Sequence, residues 1–379
     1  MSSGSSDSPD ATGPEPASRE AGATAPVVRG SPVKMLVSAR NAVHVFGCEP
    51  GEPILRAGLR SGVALPYECG TGTCGTCKAR LVEGAVDSDW PDAPGHAKLK
   101  RDRGEFLMCQ GVPRGDCSLE IGGVVAAMAT DASRPAHLHA VIGRHVMLTH
   151  DVVALSLELG RPLDFEAGQF VLVSVPGVAG ARAYSMVNFQ PGADHLELVI
   201  KRKPGGGVSE WLFRGPVDGA RVRLFGPLGG ATFRADLGKS LLCIAGGSGI
   251  AGMMSILSCA DRARYFERHP GDVFFGVRTR RDVFFLDELR AFQARSGGGL
   301  RITIALSDEN VDADLPVRYP GLAFDTGFVH AVAGLGMKGR FENVRAYAAG
   351  PPPMVDATLR MLLVEGKLRP DNIRYDKFS

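Results

Sequence analysis

Apolar residues recur along this chain with two different periods, and the change of period divides it. From Val33 the runs KMLVSA and AVHVFG alternate in and out as strands do, and between Glu52 and Gly62 the residues Ile54, Leu55 and Leu59 fall at helical spacing. This predicts a small β-rich domain with one helix over residues 33–121. Over residues 137–236 the runs HAVIGRHVML, VVALSLEL, GQFVLVSVP, HLELVIKR and ARVRLFGP are separated by Gly and Pro, the pattern of an antiparallel β-barrel. Over residues 237–379 continuous apolar strands (LLCIAGG, DVFFGVR, RITIALSD, VRAYAAG) alternate with helical stretches, which predicts an α/β domain with a parallel sheet. Two segments have neither period. Residues 1–32, of which 21 are Ser, Gly, Pro or Ala, read as a disordered tail, and GGVVAAMATDASRPA, residues 122–136, reads as a linker.

Composition narrows the possibilities. Lys and Arg number 43 against 41 Asp and Glu, a formal net charge of +2, which is no field for a nucleic-acid partner. No apolar run reaches the roughly 18–20 residues of a membrane span and the start lacks a secretory signal, so a cytoplasmic protein with no membrane partner is expected. Eight cysteines in 379 residues are too sparse for a disulfide scaffold. Glycine, at 49, is roughly twice its usual share, so parts of the backbone must bend unusually or approach something closely.

Four of the cysteines form a pattern. Cys69, Cys74 and Cys77 are separated by four and two residues, and Cys109 lies in FLMCQ further on, the spacing of a plant-type [2Fe-2S] site. Only Gly and Thr lie between the first three, as a loop requires when its N–H groups turn in toward sulfur. A structural zinc site is the alternative, but zinc ligands come in close pairs and Cys109 stands alone. Cys48, Cys117, Cys243 and Cys259 have irregular spacing and read as packed thiols.

Two glycine-rich turns suit phosphate. Gly246, Gly247, Ser248, Gly249 and Ile250 follow an apolar strand and open a helical stretch, and Gly350, Pro351 and Pro352 follow another strand at the ligand crevice of a doubly wound sheet. Glycines in such turns also serve plain packing. GGGVSEWL places Gly206, Gly207, Val208 and Ser209 at a further helix start, and RAYS presents Arg182, Tyr184 and Ser185: a diphosphate clamp, a flat stacking face and a hydrogen-bonding hydroxyl, or else a solvated charge and ordinary core.

Together these strings, YECGTGTCGTCKARLVEG, FLMCQ, RAYSMVN, KRKPGGGVSEWL, AGGSGIAGMMSIL, ALSDEN, AAGPPPMVDA and RYDKF, in this order over residues 33–379, resemble the NADH-dependent reductase components of bacterial multicomponent oxygenases, in the ferredoxin-NADP reductase superfamily. The resemblance implies a β-grasp ferredoxin domain, an antiparallel β-barrel FAD domain and a Rossmann-like NAD domain. It implies that Cys69, Cys74, Cys77 and Cys109 hold the cluster. Arg182 would hold the FAD pyrophosphate, Tyr184 would pack on the flavin, and Ser185 would bond near the hydride-accepting nitrogen. Lys201 falls in the next flavin-contacting strand, Gly206, Gly207, Val208 and Ser209 would cap the diphosphate, and Phe378 would lie against the flavin ring. Gly246 to Ile250, with Gly350, Pro351 and Pro352 opposite, would line the nicotinamide site. Two positions depart from many relatives: Ala349 replaces a cysteine, and Gly252 a proline.

Asp308, after the strand ending in ALSDEN, stands where NADP-using relatives carry a basic residue, so NADH is expected, with Arg280 and Arg281 as the features favouring NADPH. The implied activity is hydride transfer from NADH to FAD and single-electron transfer through the cluster to a terminal oxygenase, a di-iron monooxygenase or a Rieske dioxygenase, with the reductase itself monomeric. Supply of electrons to a sugar deoxygenation system, or a redox-sensing electron-transfer subunit without NADH oxidation, are the other readings. The run KLKRDR, Lys98 to Arg103, is either a solvated face or a docking patch.

Overall fold

The computed structural model describes residues 1, 30–129 and 133–378. Nearly all of the tail read at residues 1–32 lies outside the described residues. Three sheets of five or six strands follow one another along the chain, beside two two-stranded pairings among the described residues.

The first is a five-stranded mixed sheet in the order Val43–Cys48, Val33–Ser38, Cys117–Glu120, Lys78–Glu83 and Glu105–Leu107, with Val33–Ser38 parallel to Cys117–Glu120. The helix expected over 52–62 is shorter, Ile54–Arg60, because Pro53 stands at its N-cap position. Five of its seven residues are buried, more than an amphipathic helix on one sheet needs. The reason is that the helix is covered twice, by its own sheet and by the barrel, where the Arg56 guanidinium lies 5.8 Å from the Phe225 ring centroid.

The second sheet is antiparallel, in the order Arg182–Ser185, Phe170–Ser174, Arg221–Leu228, Ala136–Met147, Val152–Leu163 and Ala193–Lys201. It curls until its ends meet at the isolated Met186–Leu198 pairing. Its inward residues, such as Leu155, Leu157, Leu196 and Leu198, form the barrel core. The third sheet is wholly parallel: Ala323–Thr326, Leu300–Leu306, Gly271–Val277, Ser240–Gly246, Val344–Gly350, Ile373–Lys377. Helices cover both faces, so central strands such as Ser240–Gly246 are apolar throughout, as the continuous run LLCIA requires. Strand order reverses between Ser240–Gly246 and Val344–Gly350, which opens a crevice at their carboxyl ends. No helix among the described residues is long and apolar enough to cross a membrane.

The segment read as a linker at 122–136 is partly structured. Val125 is buried and bonded in both directions to the Asn41 side chain (2.8 and 2.9 Å), and Ala126–Ala127 pairs with Val63–Ala64. Small residues gave this stretch a loop-like composition, yet the backbone pairing draws it into the first domain; residues 130–132 lie outside the described residues. One core crosses the domain boundary. Cys77, Leu107, Met108 and Cys109 share a buried cluster with Phe170, Leu172, Ala181, Phe225 and Leu228 of the barrel.

Candidate redox site

Cys69, Cys74 and Cys77 lie in the loop before the strand Lys78–Glu83, and Cys109 in the turn after Glu105–Leu107. The Sγ atoms of Cys69 and Cys74 are 3.2 Å apart. Backbone N–H groups of Thr71 and Cys74 donate to Cys69 Sγ, and that of Thr76 to Cys74 Sγ, each at 3.4 Å. Gly70, Gly72 and Gly75 have φ of 65°, 87° and 84°, which L side chains avoid, and these turns aim the N–H groups at sulfur. The neighbouring Cys74 thiol and these N–H donors hold Cys69 down at about 4. Cys74 and Cys77 are pushed up, each by a partner thiol and by burial. Two pairs of facing thiols, Cys69 with Cys74 and Cys77 with Cys109, with N–H donors around them and no acidic ligand, fit an iron–sulfur cluster, whose cations would take all four as thiolates. Burial pushes the Cys48 thiol up to about 12 and raises those of Cys117, Cys243 and Cys259.

The strand Arg182–Ser185 pairs with Phe170–Ser174, so Arg182 and Tyr184 share one side and Ser185 the other. Arg182 donates to Ala181 O at 3.0 Å and its guanidinium carbon lies over the Trp90 ring, 4.0 Å from the centroid. Trp90 belongs to the ferredoxin domain and was not legible as a site residue, although an aromatic inside the Pro/Gly loop SDWPDAPG has no periodic role to explain it. Tyr184 packs on the barrel core and burial raises its hydroxyl. Ser185 is buried, facing the NAD domain at Gly252, where a Cβ would sit 3.5 Å from its Oγ.

Around Gly206 and Gly207 the side chains turn inward. Val208 is in the barrel core, and Ser209 Oγ closes the loop by accepting from Lys203 N–H at 3.1 Å, so that Gly206 and Gly207 offer backbone alone. Lys201 Nζ pairs with Asp151 Oδ2 at 3.0 Å.

A cleft of about 980 Å³ separates barrel and parallel sheet; it brings together Lys201, Gly246 to Gly249, Gly350, Pro351 and Phe378. Ile250 points instead into the core, Pro352 begins the next helix, and Asp308 lies exposed beyond Ser307 at the cleft edge. Arg182, Tyr184 and Ser185 do not line this cleft; they stand on the barrel side. Gly249 is required by contact, since a Cβ there would lie 2.3 Å from Ala349 O. Phe378 N–H donates to Gly350 O at 3.1 Å, and its ring meets Phe170 edge-on at 6.1 Å between centroids.

Family models match in the same order: a 2Fe-2S iron-sulfur cluster binding domain over residues 41–114, an oxidoreductase FAD-binding domain over 137–233 and an oxidoreductase NAD-binding domain over 243–360. The chain is 36% identical over 334 residues to the ferredoxin–NAD(+) reductase component of the alkene monooxygenase system of Xanthobacter autotrophicus, covering 88% of this chain and 97% of that protein. It is 33% identical over 337 residues to the phenol 2-monooxygenase reductase component of Pseudomonas sp. strain CF600, covering 88% and 92%. The solved ferredoxin reductase in carbazole 1,9a-dioxygenase superposes with a TM-score of 0.77 at 32% identity, covering 93% of this chain and all of that one. The chain belongs to the iron–sulfur flavoprotein reductases of oxygenase systems.

In this reductase the ferredoxin domain is fixed to the barrel by contacts that sequence patterns do not reveal. Glu52 carries a side chain only 3% exposed, bound by Arg60 Nη2 at 2.9 Å and, from the barrel, by His137 Nε2 at 2.7 Å. Burial alone would raise its carboxyl, but His137, Arg60 and the Glu49 N–H hold it down at about 2. Asp376, in the last strand, is pushed up to about 7 by burial and by the charge of Glu68 beside the cluster loop. The reductase therefore joins cluster loop, barrel and C-terminal strand in one place.

Proposed function

We propose that this reductase oxidises NADH, works as a monomer in the cytoplasm, and donates single electrons to a terminal oxygenase, with Cys69, Cys74, Cys77 and Cys109 holding the cluster and Arg182, Tyr184 and Ser185 facing the FAD. The observation that carries this reading is the packing of the cluster loop directly against the barrel strand Phe170–Ser174, which pairs with the strand bearing those three residues and touches Phe378 at the cleft. When bound, the three groups supply hydride donation, conversion of an electron pair into single electrons, and one-electron carriage.

The chain's own residues bind and orient. Arg182, braced on Trp90, would keep the rest of its donor fork for a diphosphate. The turn Gly246–Gly249 at the carboxyl end of its strand presents backbone N–H groups to the dinucleotide, and Phe378, tied to Gly350 O, lines the same cleft. No side chain here is needed as a covalent nucleophile. For the nucleotide, Asp308 takes Ser307 Oγ–H at 2.6 Å, Arg280 is engaged by Asp312 at 2.6 Å and Glu309 at 3.5 Å, and Arg278 at the cleft lies 3.9 Å from Asp308, so that a carboxylate stands beside the cation a 2′-phosphate would meet there.

Reconstitution tests the reading. Purified reductase is combined with a di-iron hydroxylase and, separately, with a Rieske dioxygenase, and NADH use coupled to substrate oxidation is scored. Coupling with neither, while NADH still reduces artificial acceptors, removes the oxygenase assignment. Cys74→Ser should lose iron and one-electron delivery to cytochrome c while NADH still reduces the flavin.

A further inference from the structure

The cluster loop has an inner and an outer side. On the inner side Tyr67 Oη accepts the Gly229 N–H at 3.0 Å, and a Cβ on Gly70 would touch Leu172 at 3.4 Å, so the barrel covers it. The outer side is Cys74, Gly75 and Thr76, of which Thr76 is exposed and the other two partly so. A protein acceptor that comes close to the sulfurs meets this side.

That side has a positive rim. Lys98 lays its chain along Gly75 and donates from Nζ to Cys74 O at 2.9 Å and Thr73 O at 3.3 Å. Lys78 follows Cys77 directly, and its strand pairs with the sheet-edge strand Glu105–Leu107. This pairing brings the turn Lys100–Arg103 alongside, with Leu81 N–H donating to Gly104 O at 3.0 Å. Acids take part of the charge: Glu105 pairs with Lys78 at 3.6 Å, Glu120 pairs with Arg80, Glu68 bonds Thr76 Oγ1, and Asp102 stands inside the turn. Lys100, Arg101 and Arg103 remain exposed, and Arg101 and Arg103 form no ion pair among the described residues. The whole chain is nearly balanced at +2, so this is a local concentration of charge beside the exit of the electron path.

We propose that the rim formed by Lys98, Lys100, Arg101 and Arg103 is the docking surface for the electron acceptor, and that the acceptor presents an acidic face to it. This rests on the reading of the chain as a one-electron donor to a protein. Attraction between opposite faces raises the encounter rate, is screened by salt, and orients the acceptor over Cys74 and Gly75. Lys98 is bound to the loop carbonyls, so the more exposed turn supplies the test.

The holoprotein carrying Lys100→Glu, Arg101→Glu and Arg103→Glu is compared with wild type for NADH-driven reduction of an acidic haem protein, cytochrome b5, a basic one, cytochrome c, and a small neutral acceptor, menadione. In the wild type, kcat/KM for cytochrome b5 should fall as salt rises to about 0.3 M, whereas that for cytochrome c should rise or stay level. The triple variant should lose about tenfold in kcat/KM with cytochrome b5 at low salt and gain with cytochrome c. Its menadione turnover and its visible cluster absorbance should match wild type, which separates docking from damage to the loop. A variant within about twofold of wild type for cytochrome b5, or the same response with both haem proteins, overturns the proposal. Absence of menadione turnover in the wild type would instead overturn the reductase reading beneath it.

Discussion

Tyr67 Oη accepts a hydrogen bond from the backbone N–H of Gly229 at 3.0 Å, joining the residue two places before the first cluster cysteine to the end of a barrel strand. The residue is half-buried, and burial raises its hydroxyl. Tyr67→Phe removes one neutral hydrogen bond and leaves the Gly229 N–H unpaired, a loss of about 1 kcal/mol at the interface. The expected result is a several-fold slower cytochrome c reduction with unchanged NADH-driven flavin reduction, measured by stopped flow. Equal slowing of both would mean that Tyr67 supports the whole fold rather than the cluster's seat.

Glu52 makes the docking of the ferredoxin domain acid-sensitive. Its carboxyl is held at about 2 in the folded protein against an ordinary 4.5, so the stabilisation is complete above about 4.5 and is lost as pH falls toward 2. Melting temperature should therefore drop between pH 5 and 3 more steeply in the wild type than in Glu52→Gln, which cannot titrate. Parallel acid profiles for the two would show that the Glu52–His137 contact does not carry the effect.

Two glycines of the same turn-and-helix should respond in opposite ways. At Gly249 an added methyl would stand 2.3 Å from the Ala349 carbonyl oxygen, backbone that cannot give way. Gly249→Ala should raise KM for NADH by about tenfold while flavin and iron content stay intact. At Gly252 the methyl would meet Ser185 at an ordinary 3.5 Å. Gly252→Ala should thus stabilise the helix Ile250–Arg262 by roughly 0.5–1 kcal/mol and raise the melting temperature by about 2 °C.

Nucleotide choice is expected to follow Asp308. Its carboxylate is exposed, with the Arg278 Nε 3.9 Å away. Asp308→Ala should narrow the NADH over NADPH ratio of kcat/KM by about tenfold, because a repulsion toward the 2′-phosphate and an acceptor for the ribose hydroxyl both disappear. A wild-type enzyme that uses NADPH as well as NADH would reverse the assignment.

Local chemistry determined much of this protein. The match to a 2Fe-2S cluster binding domain over residues 41–114 was legible in the spacing of Cys69, Cys74, Cys77 and Cys109, because four thiols and small residues between them would be a local requirement of such a ligand. The change from alternating to continuous apolar strands marks barrel and parallel sheet, since each period states how many faces of a strand are buried. The glycine-rich turn Gly246–Gly249 after an apolar strand was legible, but its need for Gly249 comes from Ala349, a hundred residues away in the chain. What only the tertiary structure decided is how the modules meet. Trp90 under Arg182, His137 on Glu52, Tyr67 at Gly229 and the shared core of Cys109 with Phe225 pair residues from different domains. A motif or a period marks a residue such as Arg182 or Cys109 but not which residue of the next domain it meets, because that partner is set by the packing of whole domains rather than by neighbours in sequence.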